Sequence, residues 1–391
     1  MRTFAALALV VAAASAQSTY PVGQRDVAWP NTTGQGWPTL YTRIWYPATA
    51  QQHNAPVAAS RDGWPVVLFL HGFSFMGRDY PLLCQEWARR GFVVVAPDTA
   101  IWNYVQLAQD AHANLVAIAG VNATAGSPLQ GAFDLGRVAV AGHSMGGGTI
   151  AYVAAQNPEI RCAFAFAPAA PVGNAAASVT IPFGCVVGDG DVLTPSWQHA
   201  QPYVAGVSPQ SPMKFLARLD GTSGHFSIVG HAGVTPDFSR AVGMSVGFFR
   251  HFLDVDADGL EQCVGPAVVA DPMVVSFEQD IAEPRIWSSG ALVPGAVVRV
   301  SVAAESGDGL IFAGPALQGG VATSIGTLLL DPSQAFTWIS SLVPDTDRLD
   351  ATLYVPNTPA VVGVEFALQP AASTSLATFR FGSCKQFVVG W

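Results

Sequence analysis

The stretch Arg137-Val138-Ala139-Val140-Ala141-Gly142-His143-Ser144-Met145-Gly146-Gly147-Gly148, running on to Ala155, decides how this chain is built. The run from Arg137 to Ala141 is short, apolar and closed by glycine, the pattern of a strand covered on both faces. Met145 to Ala155 follows with residues that suit a helix. Strand, Gly-x-Ser-x-Gly and helix in direct succession make a nucleophile elbow, whose glycines let the chain turn sharply enough to leave the Ser144 hydroxyl standing at the helix N-terminus. Without that context the same five residues would be an ordinary Gly-rich turn.

Val66 to Leu70, Phe92 to Asp98, Cys162 to Ala167, Phe183 to Val187 and Met213 to Leu219 repeat the apolar pattern and predict further buried strands. Helical stretches lie between them, near Tyr80 to Arg90 and Gln106 to Ala119, and an amphipathic helix from about Asp237 to Phe252 closes the series. Strands alternating with helices predict an α/β fold with a mainly parallel sheet. After Leu253 the helical periodicity stops. Short runs at Val297 to Val302, Thr327 to Leu330, Ala351 to Val355 and Val361 to Leu368 alternate with Gly, Pro, Asp and Ser clusters, which predicts a small all-β sandwich. We place a catalytic domain over residues 17–270 and a β-sandwich-like accessory domain over 271–391.

The 391 residues are half apolar and only 12% charged, against roughly 25% in ordinary globular domains, so the core can be large and the surface must rely on neutral polar residues. A formal charge of −9 without any Lys/Arg cluster argues against nucleic acid or another polyanion as a partner. Met1-Arg2-Thr3, the apolar run Phe4 to Ala14 and Ala14-Ser15-Ala16 read as a signal peptide over residues 1–16, cleaved before Gln17. The expected product is secreted. The run is too short to span a bilayer, and nothing later is longer.

Five cysteines in an exported chain permit up to two disulfides, with Cys263 and Cys384 one conceivable pair; Cys162 and Cys185 lie in apolar runs and read as buried thiols. No Cys or His spacing suggests a metal site, and no cofactor is implied. Asp254 to Gly259 resembles the start of a calcium loop, but Gly265 stands where a bidentate Glu would be needed, so an acidic loop is the better reading.

A serine hydroxyl needs an imidazole to take its proton and a carboxylate to orient that imidazole. In elbow-bearing folds the chain order is Ser, acid, His. Asp189-Gly190-Asp191 closes the Phe183 strand; Asp191 is preferred as the acid because it leads into the next helix, with Asp189 the alternative. His225 follows the strand ending at Leu219 and is preferred as the base over His231, since catalytic groups gather at strand carboxyl ends. His143 is too close to Ser144 along the chain to serve as base and is assigned to the pocket wall. The candidate oxyanion donors are the N–H groups of Met145, after the nucleophile, and Phe73, in the turn after the Val66 strand.

With these residues in place, residues 20 to 260 resemble the bacterial cutinase and polyester hydrolase group of the α/β-hydrolases, near dienelactone hydrolases and platelet-activating-factor acetylhydrolases. Gly142 to Gly148 is similar to that group's elbow, Asp191 with Pro195 and His199-Ala200 to its acid loop, and Ser223-Gly224-His225-Phe226 to its base loop. The resemblance implies the triad Ser144, Asp191 and His225, the oxyanion pair Phe73 and Met145, and a substrate contact from the Phe73 ring. Ala169, in Ala167-Pro168-Ala169-Ala170, departs from it, since many polyester hydrolases carry Trp directly after this Pro. The implied activity is cofactor-free hydrolysis of short-chain esters or polyesters by a monomer. An acetylhydrolase or dienelactone-type esterase acting on small soluble esters is the alternative, and a non-catalytic binding protein is the least favoured reading.

Overall fold

The computed structural model describes residues 19–389 apart from 101, 171–174, 254, 256, 257, 290, 305, 306, 324, 325, 344–347, 374–379 and 382–384. The proposed signal segment, Cys384 and much of the acidic 254–259 run therefore lie outside the described residues.

The strands in chain order are β1 (Val22–Pro30), β2 (Thr39–Pro47), β3 (Gln52–His53), β4 (Trp64–Leu70), β5 (Val93–Pro97), β6 (Phe133–His143), β7 (Ile160–Phe166), β8 (Phe183–Gly188), β9 (Lys214–Leu219) and β10 (Val274–Asp280). They form one sheet in the order β10-β9-β8-β7-β6-β4-β5-β2-β1-β3. The six strands from β5 across to β9 run parallel, and β2 and β10 flank them antiparallel. This is the mainly parallel α/β sheet expected from the alternating pattern.

Period two explains why these strands are apolar throughout. Along β4, Val67 and Phe69 join one core while Val66, Leu68 and Leu70 join another on the opposite face. The first core is covered by α1 (Pro81–Ala88) and α5 (Pro236–Phe252), through Trp87, Phe248 and Phe249. The second is covered by α2 (Tyr104–Ala123), α3 (Met145–Gln156) and α4 (Ala200–Ala205), through Leu107, Ile150 and Tyr203. Each fully buried Leu, Ile or Phe on either face contributes about 1.5–3 kcal/mol relative to an exposed one. Helix starts follow local chemistry: the Asn103 side chain accepts the Gln106 N–H at 3.0 Å, and Thr235 with Pro236 behind it opens α5.

The chain passes residue 270 without leaving this sheet. β10 pairs with β9 from Val274↔Leu219 to Asp280↔Lys214, and Trp287, fully buried, belongs to the α5-side core. The Trp287 indole N–H and the Arg299 guanidinium both reach the Glu261 carboxylate, and Arg285 lies over the Phe252 ring. Beyond β10 the chain is antiparallel: Arg285–Ser289, Val297–Ala303 and Arg348–Tyr354 form one sheet, and a second is built on Gly307–Gly314, Phe336–Val343 and Glu365–Ser373. Ile286, Val300, Ile311 and Leu368 from the two sheets share a small core.

Cys84, Cys162, Cys185 and Cys263 are free, buried thiols, so the disulfides that the cysteine count permits do not form among the described residues. Cys185 lies on the opposite side of the sheet from the other three, and burial pushes all four thiols up, as expected of small apolar core groups. No described helix is long and apolar enough to cross a membrane.

Candidate active site

Ser144 sits between β6 and α3 with φ 54° and ψ −119°, a conformation that costs a non-glycine residue on the order of 1–3 kcal/mol. The neighbouring glycines are required by close approach. A Cβ on Gly146 would lie 2.1 Å from the Leu70 carbonyl oxygen, and one on Gly142 would lie 2.4 Å from the Gly146 backbone. The turn is held from outside as well: the Ser144 N–H donates to Phe166 O at 3.0 Å, and Ser144 O accepts the Ala169 N–H at 2.8 Å. The strain is therefore supported by the ends of β6 and β7.

Asp191 follows β8 and His225 follows β9, on adjacent parallel strands, so their loops lie side by side. The Asp189 N–H donates to Leu219 O, and the Gly190 N–H donates to Ser223 O. The imidazole Nδ1 of His225 lies 2.7 Å from Asp191 Oδ2, with both residues buried. The other carboxylate oxygen accepts the Leu193 and Thr194 N–H groups at 2.9 Å each, and the Thr194 hydroxyl donates to Oδ2 at 2.8 Å. Burial alone would raise this carboxyl; the hydrogen bonds from His225 and Thr194 outweigh it and bring it down to about 2. An ionised carboxylate can only accept, so Nδ1 carries the proton and Nε2 is the lone-pair nitrogen of the neutral ring.

Ser144, His225, Phe73, His143, Thr194 and Leu193 line one cleft of about 230 Å³. Met145 is the first residue of α3, where a backbone N–H has no intrahelical acceptor. The Phe73 ring is 58% exposed at the mouth, with Leu193 equally exposed on the acid loop. Trp102 is also exposed, its indole N–H donating to the hydroxyl of Ser74, the residue after Phe73, at 3.0 Å.

The alternatives are occupied elsewhere. Asp189 pairs with Arg218 at 2.9 Å, and His231 packs edge-on against Phe75 and Tyr80. His143 borders the cleft but is fully buried, with Nδ1 2.9 Å from Tyr80 Oη and Nε2 2.9 Å from His225 O. Both ring nitrogens are thus spent on protein partners. Sequence reading missed Thr194 and Tyr80. Thr194 had a usable signal, because an Asp followed by a hydroxyl three residues on favours a side-chain-stabilised turn. Tyr80 had none, being 63 positions from its partner.

A family model described as "PETase: PET hydrolase-like" matches residues 10–273, well over half of the chain. The chain belongs to the PET hydrolase-like family. This PET hydrolase-like protein is 27% identical over 239 residues to a bis(hydroxyethyl) terephthalate hydrolase of Streptomyces coelicolor, covering 61% of this chain and 68% of that one. It is 28% identical over 250 residues to cutinase 1 of Thermobifida cellulosilytica, covering 63% and 85%. Against cutinase est1 of Thermobifida alba the identity is 30% over 188 residues, covering 47% and 59%. The resemblance to bacterial cutinases read from the elbow and loop motifs is therefore correct, and the chain is a cutinase-like serine ester hydrolase of the α/β-hydrolase fold.

Proposed function

We propose that the chain is a secreted carboxylic ester hydrolase working through an acyl-enzyme on Ser144. The observation that carries this reading is the 2.7 Å Asp191–His225 hydrogen bond in a cleft shared with a serine held at positive φ. Ser144 Oγ attacks the ester carbonyl as His225 Nε2 takes its proton, and Asp191 stabilises the imidazolium. Charge on the carbonyl oxygen is met by the N–H groups of Met145 and Phe73. His225 then gives the proton to the departing alcohol, and water, activated by the same imidazole, releases the acid and restores Ser144. No cofactor enters.

The substrate class follows from the rim. Phe73 and Leu193 expose apolar faces on the cleft, which suits the carbonyl of an ester flanked by apolar groups, including a polyester segment. Ala169 supports the second reading, a small soluble ester, because its methyl group presents little apolar surface for an extended acyl chain. A fluorophosphonate probe should label the protein at Ser144 and leave Ser144→Ala unlabelled. Hydrolysis of p-nitrophenyl esters of rising acyl length, beside release from a polyester film, separates the two substrate readings. Absence of labelling would end both.

A further inference from the structure

Tyr80 places a phenol in the middle of the apolar α1-side core, at 1% exposure, where an unmatched hydroxyl would be costly. Its partners define a directed chain of hydrogen bonds. His143 Nε2 lies 2.9 Å from the His225 carbonyl oxygen, which can only accept, so Nε2 carries the ring proton. Nδ1 is then a lone pair, and the phenol 2.9 Å away must donate to it. That leaves the Tyr80 oxygen free to accept the Gly72 N–H at 2.9 Å. Burial pushes the phenol up, and burial together with the nearby His225 pushes His143 well below its ordinary value, so both groups stay in the forms this chain requires.

The two ends of the chain fall on the two halves of the chemistry. Gly72 immediately precedes Phe73, and its own carbonyl accepts the Phe75 N–H at 3.1 Å. With N–H and C=O of Gly72 both held, the next peptide plane is fixed, and because C=O and N–H point opposite ways in a trans peptide, the Phe73 N–H is turned away from the Phe75 side. At the other end the acceptor is the backbone of His225 itself. Packing is too tight for slack, since a Cβ on Gly72 would meet Tyr80 Oη at 3.0 Å and both His143 Nδ1 and Ser144 Cβ at 3.3 Å.

We infer that Tyr80 and His143 are positioning residues, a hydrogen-bonded strut that sets the oxyanion loop at Gly72-Phe73 and the base loop at His225 in register across Ser144. The strut rests on the catalytic reading proposed above. Its effect is on the geometry that the transition state needs, so its loss lowers kcat rather than raising KM.

Tyr80→Phe removes only the hydroxyl. With p-nitrophenyl acetate it should lower kcat about 10- to 100-fold, less than the loss expected from deleting an oxyanion donor outright, with KM within about threefold. A kcat within about twofold of the parent, or a loss carried mainly by KM, overturns the strut. Independently of any variant, ¹⁵N-histidine NMR of the full chain should show His143 neutral and protonated at Nε2 at pH 7; an Nδ1–H tautomer or a cationic ring overturns it. Ser144→Ala is run in parallel. Retained activity there sinks the catalytic reading and the strut together, whereas a dead Ser144→Ala beside an unimpaired Tyr80→Phe removes the strut alone.

Discussion

The Thr194 hydroxyl lies 2.8 Å from Oδ2 of Asp191, the same oxygen that accepts Nδ1–H of His225. Thr194 is also bound through its own N–H to the other carboxylate oxygen, so one residue grips both oxygens of the acid. Thr194→Val keeps the shape and deletes the hydroxyl. It should lower kcat/KM by roughly tenfold, in line with a hydrogen bond to a charged group, and steady-state kinetics on a soluble ester check it.

Ser144→Ala should reduce ester hydrolysis by about 10⁴- to 10⁶-fold while circular dichroism and thermal melting stay close to the parent. The side chain stands in the turn and adds little packing. Substantial activity in the purified variant would remove Ser144 as nucleophile.

His225→Ala should be as inactive as Ser144→Ala, and His231→Ala should keep activity within about fivefold of the parent, because His231 contacts rings rather than Asp191. The reverse pattern would move the base to His231.

Asp191 ties acid stability to the site. Its folded value, about 2, lies below the unfolded 3.8, so it contributes stability that is fully present above about pH 4 and is lost as pH falls toward 2. The contribution is on the order of 2 kcal/mol. Denaturant melts of the parent and Asp191→Asn should differ most at neutral pH and converge near pH 2. Parallel curves across the whole range would contradict the lowered carboxyl.

Truncation tests how far the main sheet depends on β10 and Trp287. A chain ending near Asp271 loses both, leaving the β9 edge unpaired and part of the α5-side core uncovered. Its melting temperature should fall by several degrees or more. A chain ending after Trp287 should lose less and hydrolyse small soluble esters at close to the full-length rate. Equal melting temperatures for the two would show that β10 and Trp287 add nothing to the main core.

The main architecture was legible because it rests on local patterns. Apolar runs bounded by turns mark strands that are buried on both faces, and β4 through β9 fall within a few residues of where those runs lie. Antiparallel β10 was not read from the sequence, because Val274–Asp280 is only partly buried and mixes charged with apolar residues. Such a strand is specified by the edge of β9 that it meets.

Local sequence was enough for the parallel strands from β4 to β9, the elbow at Ser144 and the loops that carry Asp191 and His225, whereas β1, β2 and β10 were not read from it. Each of these depends on residue types within a few positions of one another, where backbone sterics and side-chain period act directly. Only the tertiary structure decided that Asp191 rather than Asp189 meets His225, that His143 turns inward to Tyr80, and that Thr194 completes the carboxylate's shell. Those choices join loops from different strands, and the free energy that selects them is the cost of burying a polar group without a partner, which exists only once the chain has closed around it.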